Sequence, residues 1–282
     1  MTLLSASKIY FVRNPGKLLG LCFWALAASL PAAPTALAQA QAAVTTQTNG
    51  DAEPPADTNP HQSAMDKTVP EVQQAWLNAA GKPSLAFYLA ESSGKAHGGV
   101  ILIPGLNQHP ATQGLINTLR HTLSQNHWHT LALNMTDLDA AQSQAVITAG
   151  VAFLNQQGVN NIAILGEGAG ADMAINYAAT VSKSNNHQLR AVVLINASNE
   201  LQGDKSQPTE LLATLKIPVF DTFLSGDNLQ QQRANQRRRA VPTGNKQYQQ
   251  ARLPQVNNYS VLEENHVTKR LRGWLDNNAA NL

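Results

Sequence analysis

Gly99-Val100-Ile101-Leu102-Ile103 carries no polar side chain. Ile162-Ala163-Ile164-Leu165 and Ala191-Val192-Val193-Leu194-Ile195 are runs of the same kind. A strand with one wet face alternates apolar and polar residues, so uninterrupted runs call for cover on both faces. Between the runs lie stretches with helical spacing. Leu115, Ile116, Leu119 and Leu123 share a face within residues 111–125, and Val146, Ile147, Val151 and Leu154 within 140–157. Strands alternating with helices build a mostly parallel sheet through right-handed crossovers. The expectation is an α/β fold: a three-layer sandwich with a mostly parallel central sheet and helices on both faces.

The remaining elements follow from the same patterns. Strands are expected at 72–79 and 85–90, joined at Gly81-Lys82-Pro83, and at 99–103, 130–134, 161–165, 191–195, 218–223 and 248–253. Helices are expected at 111–125, 140–157, 171–178, 210–216, 229–240 and 261–277.

The two ends of the chain differ in kind. Lys8, Arg13 and Lys17 form a basic segment before an apolar core at 18–30, which is too short for a comfortable membrane span. Ala36-Leu37-Ala38 is a small-x-small cleavage signal, so residues 1–38 are expected to be a signal peptide cut after Ala38. The chain would then be periplasmic or secreted, with no transmembrane segment once mature; an uncleaved anchor is the alternative. Cys22 follows Leu21 where a lipobox needs a small residue. Removing three basic residues turns the formal net charge of +2 into −1, which leaves no case for nucleic acid as a partner. Cys22 is the one cysteine, so the mature chain has neither disulfide nor thiol chemistry. Residues 39–67 are rich in Ala, Gln, Thr and Pro and are expected to be a disordered linker. Residues 68–282, roughly 215 in number, suit a single α/β domain.

The run at 162–165 leads into Gly166-Glu167-Gly168-Ala169-Gly170 and then helix-like Ala171-Asp172-Met173-Ala174. A strand, a sharp Gly-rich turn and a helix form the setting of the G-x-S-x-G nucleophile elbow. Gly168 stands at the nucleophile position and has no side chain. The spacing Gly166-x-Gly168-x-x-Ala171 also fits a permissive dinucleotide fingerprint. That fingerprint belongs in the first βαβ unit with an acid about twenty residues on, and here the next strand ends in Asn196-Ala197-Ser198-Asn199. No cofactor and no metal is expected.

With Pro104-Gly105-Leu106-Asn107-Gln108-His109-Pro110 after the first buried strand, and Ile217-Pro218-Val219 later, the chain resembles the α/β-hydrolase superfamily. Within it the chain is similar to the exported DUF3530 family, which carries no established reaction. The resemblance implies where catalytic groups should stand. The acid position falls on Asp227 in Ser225-Gly226-Asp227, after the strand at 218–223. The base position falls on Asn258, in the loop after the last strand, and Asn takes no proton at neutral pH. His266 lies about eight residues further on, inside a helical pattern, and is the alternative base. The backbone N–H groups of Leu106 and Ala169 would occupy the oxyanion-hole positions. The resemblance thus implies a crevice of Gly105, Leu106, Asn107, Glu167, Gly168, Ala169 and Asn258, without Ser-His-Asp catalysis, open to a small molecule or an envelope protein. A non-standard hydrolase drawn from His109, Glu167, Asp227 and Ser198 or Ser225 is the alternative.

Each candidate also has a structural reading. Glu167 can cap the following helix or repel an anionic ligand. His109 can pack in its loop, and Ser198 and Ser225 can cap theirs. His121, His127 and His129 share no ligand spacing. Arg233, Arg237, Arg238 and Arg239 are expected on a solvated helix face, and Trp76, Trp128 and Trp274 at sheet edges.

Overall fold

The computed structural model describes residues 64–136, 138–183, 188–201, 207–243 and 245–280. The expected signal peptide and linker residues 39–63 lie outside the described residues. The last linker positions belong to the fold. Ala64, Met65 and Asp66 form a helical turn, and Gln74 Nε2 donates to the Asp66 carbonyl at 3.1 Å.

Eight strands form one sheet: β1 (Gln74–Ala79), β2 (Lys82–Leu89), β3 (Gly98–Ile103), β4 (Trp128–Leu133), β5 (Ile162–Glu167), β6 (Leu189–Ile195), β7 (Val219–Leu224) and β8 (Tyr248–Leu253). Their order is β1-β2-β4-β3-β5-β6-β7-β8. Only the β1–β2 and β2–β4 pairings are antiparallel. Beyond the turn at 64–66 and a short 3-10 helix at Glu71–Gln73, the helices among the described residues are α1 (Leu115–Ser124), α2 (Ala140–Gln156), α3 (Ala169–Lys183), α4 (Pro208–Thr214), α5 (Asn228–Ala240) and α6 (His266–Asn278).

The apolar runs become the central strands because alternate residues feed two cores. Val100, Leu102, Ala163, Leu165, Val193 and Ile195 pack with α1 and α6, while Ile101, Ile103, Ile162, Ile164, Val192 and Leu194 pack with α2, α3 and α4. This is the expected three-layer α/β sandwich.

The differences from the sequence reading are local. The first hairpin turns at Ala80-Gly81, both with positive φ (52° and 84°), so Lys82 and Pro83 belong to β2. Helix α6 begins at His266 rather than 261, because Asn265 caps it by accepting from Val267 N (2.9 Å) and Thr268 N (3.0 Å). Trp128 is not at an edge. It is fully buried on an interior strand, its indole N–H donating to Asp276 at 2.9 Å. Trp274 lies over the sheet, stacked on Phe220 of β7.

The largest departure is Arg237, expected in solvent and found 0% exposed. Its guanidinium grips Asp221 of β7 (Nη2–Oδ1 2.7 Å) and donates through Nη1 to Ala197 O (2.9 Å) and Asn199 Oδ1 (2.8 Å). Tyr248 Oη (2.5 Å) and Gln250 Nε2 (2.7 Å) donate to the other Asp221 oxygen. Burial, and then Asp221, push the Tyr248 phenol pKa up, so it stays a donor. Both charges are therefore hydrogen-bonded on several sides, as buried charges must be.

Removing one member strands the other in the interior. Arg237→Ala is expected to lower unfolding free energy by about 3–5 kcal/mol. Arg239→Ala, on the exposed face of the same helix, should change it by less than about 0.5 kcal/mol. Urea denaturation of the two variants measures the contrast, and equal effects would refute the buried-pair account.

Candidate functional site

The parallel strands end together at one edge of the sheet, where open α/β sheets place their sites. Strand β5 ends at Glu167, and α3 starts at Ala169. Gly168 between them has φ +57° and donates its N–H to Ile195 O at 2.8 Å. The neighbouring glycines are needed for space. A Cβ on Gly166 would lie 2.3 Å from Gly170 O, and one on Gly170 would lie 2.4 Å from Pro104 O. Helix α3 thus crosses the end of β3 in backbone contact, which makes the turn sharp.

Gly168 is different. A Cβ there would meet only Gly105 Cα, at 3.8 Å. Crowding does not exclude a side chain at the apex; the left-handed φ is the cost, about 1–2 kcal/mol for an L-residue. The same contact brings the Gly105 loop beside the apex. Leu106 follows, 46% exposed, and Asn107 adopts φ +58°.

Glu167, half-buried, immediately precedes the apex. Strand alternation turns its side chain to the α1/α6 side, with Ala163 and Leu165 and beside Ile195 in register. It does not cap α3, and among the described residues its carboxyl makes no hydrogen bond or ion pair. Burial lifts its pKa to about 7. Tyr259, from the loop after β8, lies near enough to feel the Glu167 charge. Burial, and then Glu167, raise the Tyr259 pKa. That loop is tied down by Gln113 Nε2, which donates to Tyr259 O at 3.2 Å.

The other candidates are not gathered here. Asp227 caps α5, accepting from Leu229 N (2.8 Å) and Gln230 N (3.2 Å), and is exposed. Asn258 is exposed. His266 is exposed at the first turn of α6. His109 is buried with both ring nitrogens in use: Nε2 lies 2.8 Å from Asp66 Oδ1, and Nδ1 accepts from Ala111 N at 3.1 Å. The Nδ1 acceptor role leaves the ring proton on Nε2, donated to Asp66, so no lone pair is left to serve as a base. Ser198 gives its hydroxyl and its N–H to Asp172 of α3, and Ser225 N donates to Leu253 O at 2.7 Å. Asp172 also accepts from Asn199 N at 3.1 Å, yet burial outweighs these bonds and lifts its pKa to about 6.

Sequence reading missed Tyr259, Asp66 and the Asp172 and Asp221 networks. Tyr259 follows Asn258 directly, so an aromatic in the loop after the last strand was the available signal. Asp66 had none, because its partner lies 43 residues away. An apolar cavity of about 340 Å³ opens elsewhere, between the β1–β2 hairpin and α2, with Leu138, Ala145 and Val146 among its walls. Lys82 is the one ionisable residue among its described lining residues. No group of three or more metal-ligating side chains is assembled among the described residues. No described helix is long and apolar enough to cross a membrane.

This elbow on this sheet defines a protein of the α/β-hydrolase fold. Among solved structures, Est1E from Butyrivibrio proteoclasticus aligns at 14% identity with a TM-score of 0.57, covering 72% of this chain and 97% of its own. The esterase domain of a Rhodothermus marinus protein aligns at 13% identity and TM-score 0.56, covering 73% and 98%. A dienelactone hydrolase homologue from Klebsiella pneumoniae aligns at 18% and 0.54, covering 72% and 95%. At such identities the likeness shows the fold alone. No curated protein matches in sequence. The family of proteins of unknown function DUF3530 matches over residues 18–144 and 136–277, and the chain belongs to it.

The raised Glu167 pKa has a measurable consequence. The folded chain holds this proton more tightly than the unfolded chain. The resulting stabilisation is full below about pH 4.5 and is lost as pH rises through about 7. Glu167 and Asp172 make stability fall with rising pH in this range, while His121 and His129, whose pKa values burial lowers, act in the opposite direction. Glu167→Gln is therefore expected to shift the pH 5–8 slope of the melting temperature in the positive direction relative to the unaltered protein. Identical slopes in both proteins would overturn the assignment.

Proposed function

We propose that this chain is an exported, periplasmic or secreted binding protein built on a hydrolase scaffold, taking a small molecule or envelope partner in the Leu106–Gly168 crevice without Ser-His-Asp catalysis. The observation that carries the reading is the apex of the elbow. Gly168 has room for a side chain and lacks one. Covalent acyl transfer needs a nucleophile with a base in reach and an acid to orient the base. Here Asn258 faces solvent and Asp227 is occupied in capping a helix. Members of such a triad act as a unit, so removing two leaves no partial mechanism.

The alternative of a non-standard hydrolase finds less support. The His109 nitrogens are both engaged, and Ser198 donates to a carboxylate with no imidazole between them. Glu167 remains, a carboxyl in a crevice, suited to recognition as well as to proton transfer.

The test is a panel of p-nitrophenyl esters together with a fluorophosphonate probe. The expected result is neither turnover above the buffer rate nor labelling. Gly168→Ser should fold, with a stability loss of about 1–2 kcal/mol from the left-handed backbone, and should remain unlabelled because no base reaches the new hydroxyl. Turnover by the unaltered protein that disappears in Glu167→Gln would establish a hydrolase instead.

A further inference from the structure

The cavity between the β1–β2 hairpin and α2 is open because the residues that face each other there are small: Ala79 and Ala80 on the hairpin, Ala141 and Ala145 on α2. Leu138, Val146 and Pro83 add apolar wall. Strand alternation sets Lys82 and Ser84 on the same face of β2 as Ala86, which packs in the α2 core. Native interiors are close-packed and leave few voids larger than a water, so about 340 Å³ bounded by apolar side chains is a distinct feature. It falls at the low end of the roughly 300–1,000 Å³ of small-molecule sites, which are likewise apolar with a few polar groups at fixed places.

The polar groups that line it are donors without partners. Lys82 is exposed and makes neither an ion pair nor a hydrogen bond among the described residues. Gln142 accepts from Asp139 N through Oε1 at 2.9 Å, and its Nε2 donates to no described residue. The Ser84 hydroxyl has no partner among them either. No carboxylate is among the described lining residues. Asp139, next to Leu138, caps α2 by accepting from Gln142 N at 2.8 Å.

We propose that this cavity binds an aliphatic carboxylate of medium chain length, with the chain against Leu138, Ala145 and Val146 and the carboxylate on Lys82 and Gln142. The site shares no residue with the Leu106–Gly168 crevice and stands independently of the reading given to that crevice. An ammonium would meet Lys82 as a like charge. A neutral alcohol would fill the same space but lose the charge-assisted hydrogen bond, which is roughly twice as strong as a neutral one. The two parts of the ligand do different work. Each methylene buried is worth about fourfold in affinity, whereas an exposed ion pair is worth at most about fivefold. The chain therefore supplies the affinity, and Lys82 selects the sign of the head group.

The experiment titrates the full chain, labelled with 13C at leucine and valine methyls, with octanoate, octanol and octylammonium at pH 7. Octanoate should move the Leu138 and Val146 methyl signals and bind about three- to fivefold more tightly than octanol, with octylammonium weaker than either. Hexanoate should bind about fifteenfold more weakly than octanoate, because two fewer methylenes are buried. Lys82→Gln should bring octanoate down to the affinity of octanol and leave octanol unchanged; Lys82 is exposed, so this variant removes the charge without touching the core. Ala145→Leu should fill the cavity and abolish binding of all three probes. If Ala145→Leu fails to fold, Lys82→Gln and the chain-length comparison decide alone. Equal affinity for octanoate and octanol in the unaltered protein would overturn the carboxylate assignment. Octanoate leaving the Leu138 and Val146 signals unmoved would overturn the site itself.

Discussion

A backbone contact governs this molecule. Gly170 lies so close to the end of β3 that a Cβ would stand 2.4 Å from Pro104 O and 2.5 Å from Ile103 O. Gly166 faces the first turn of α3 at a similar distance. These two glycines let the helix leave β5 at a sharp angle and lie flat on the sheet, the close approach that glycine alone permits. Because α3 is held there, Asp172 on its first turn reaches the loop after β6. The same loop supplies Ala197 and Asn199 to Arg237. The contact between two backbone segments is thereby transmitted through one carboxylate and one guanidinium to β7, α5 and β8.

That chain of contacts separates the two halves of the sheet by what holds them. From β3 to β6 the strands are locked by apolar packing on both faces, which is non-directional and tolerant of exchange. Beyond β6 the geometry depends on a hydrogen-bonded charge pair, directional and intolerant of losing either member. A sheet edge organised this way ties α5 to β7 and β8 through Arg237, Asp221, Tyr248 and Gln250.

The parts of the fold that sequence revealed are the parts decided by apolar periodicity. The runs at 99–103, 162–165 and 191–195 became β3, β5 and β6 within a few residues of the expected ends. The elbow was recognisable because glycine spacing follows from local sterics. Arg237 was unreadable for the opposite reason. Helix α5 is mostly polar and buries only Ala234 and Arg237, a spacing of three that would have signalled a contact face had alanine been weighted with arginine. The final helix was placed too early because Leu262 matches the period, although Asn265 supplied a capping signal just before the true start. The state of Glu167 was not legible, since its pKa depends on burial by residues far along the chain.

The room for a Cβ at Gly168 has a consequence for how such a protein can change. One substitution could place a hydroxyl at the apex, but a hydroxyl alone confers nothing. Asn258 would have to become a base and turn inward, Asp227 would have to abandon its helix, and His109 would have to release Asp66. On the non-catalytic reading proposed above, the elbow works as a ratchet: a Ser-His-Asp set would need several of these changes at once, and two of them break contacts the fold now uses.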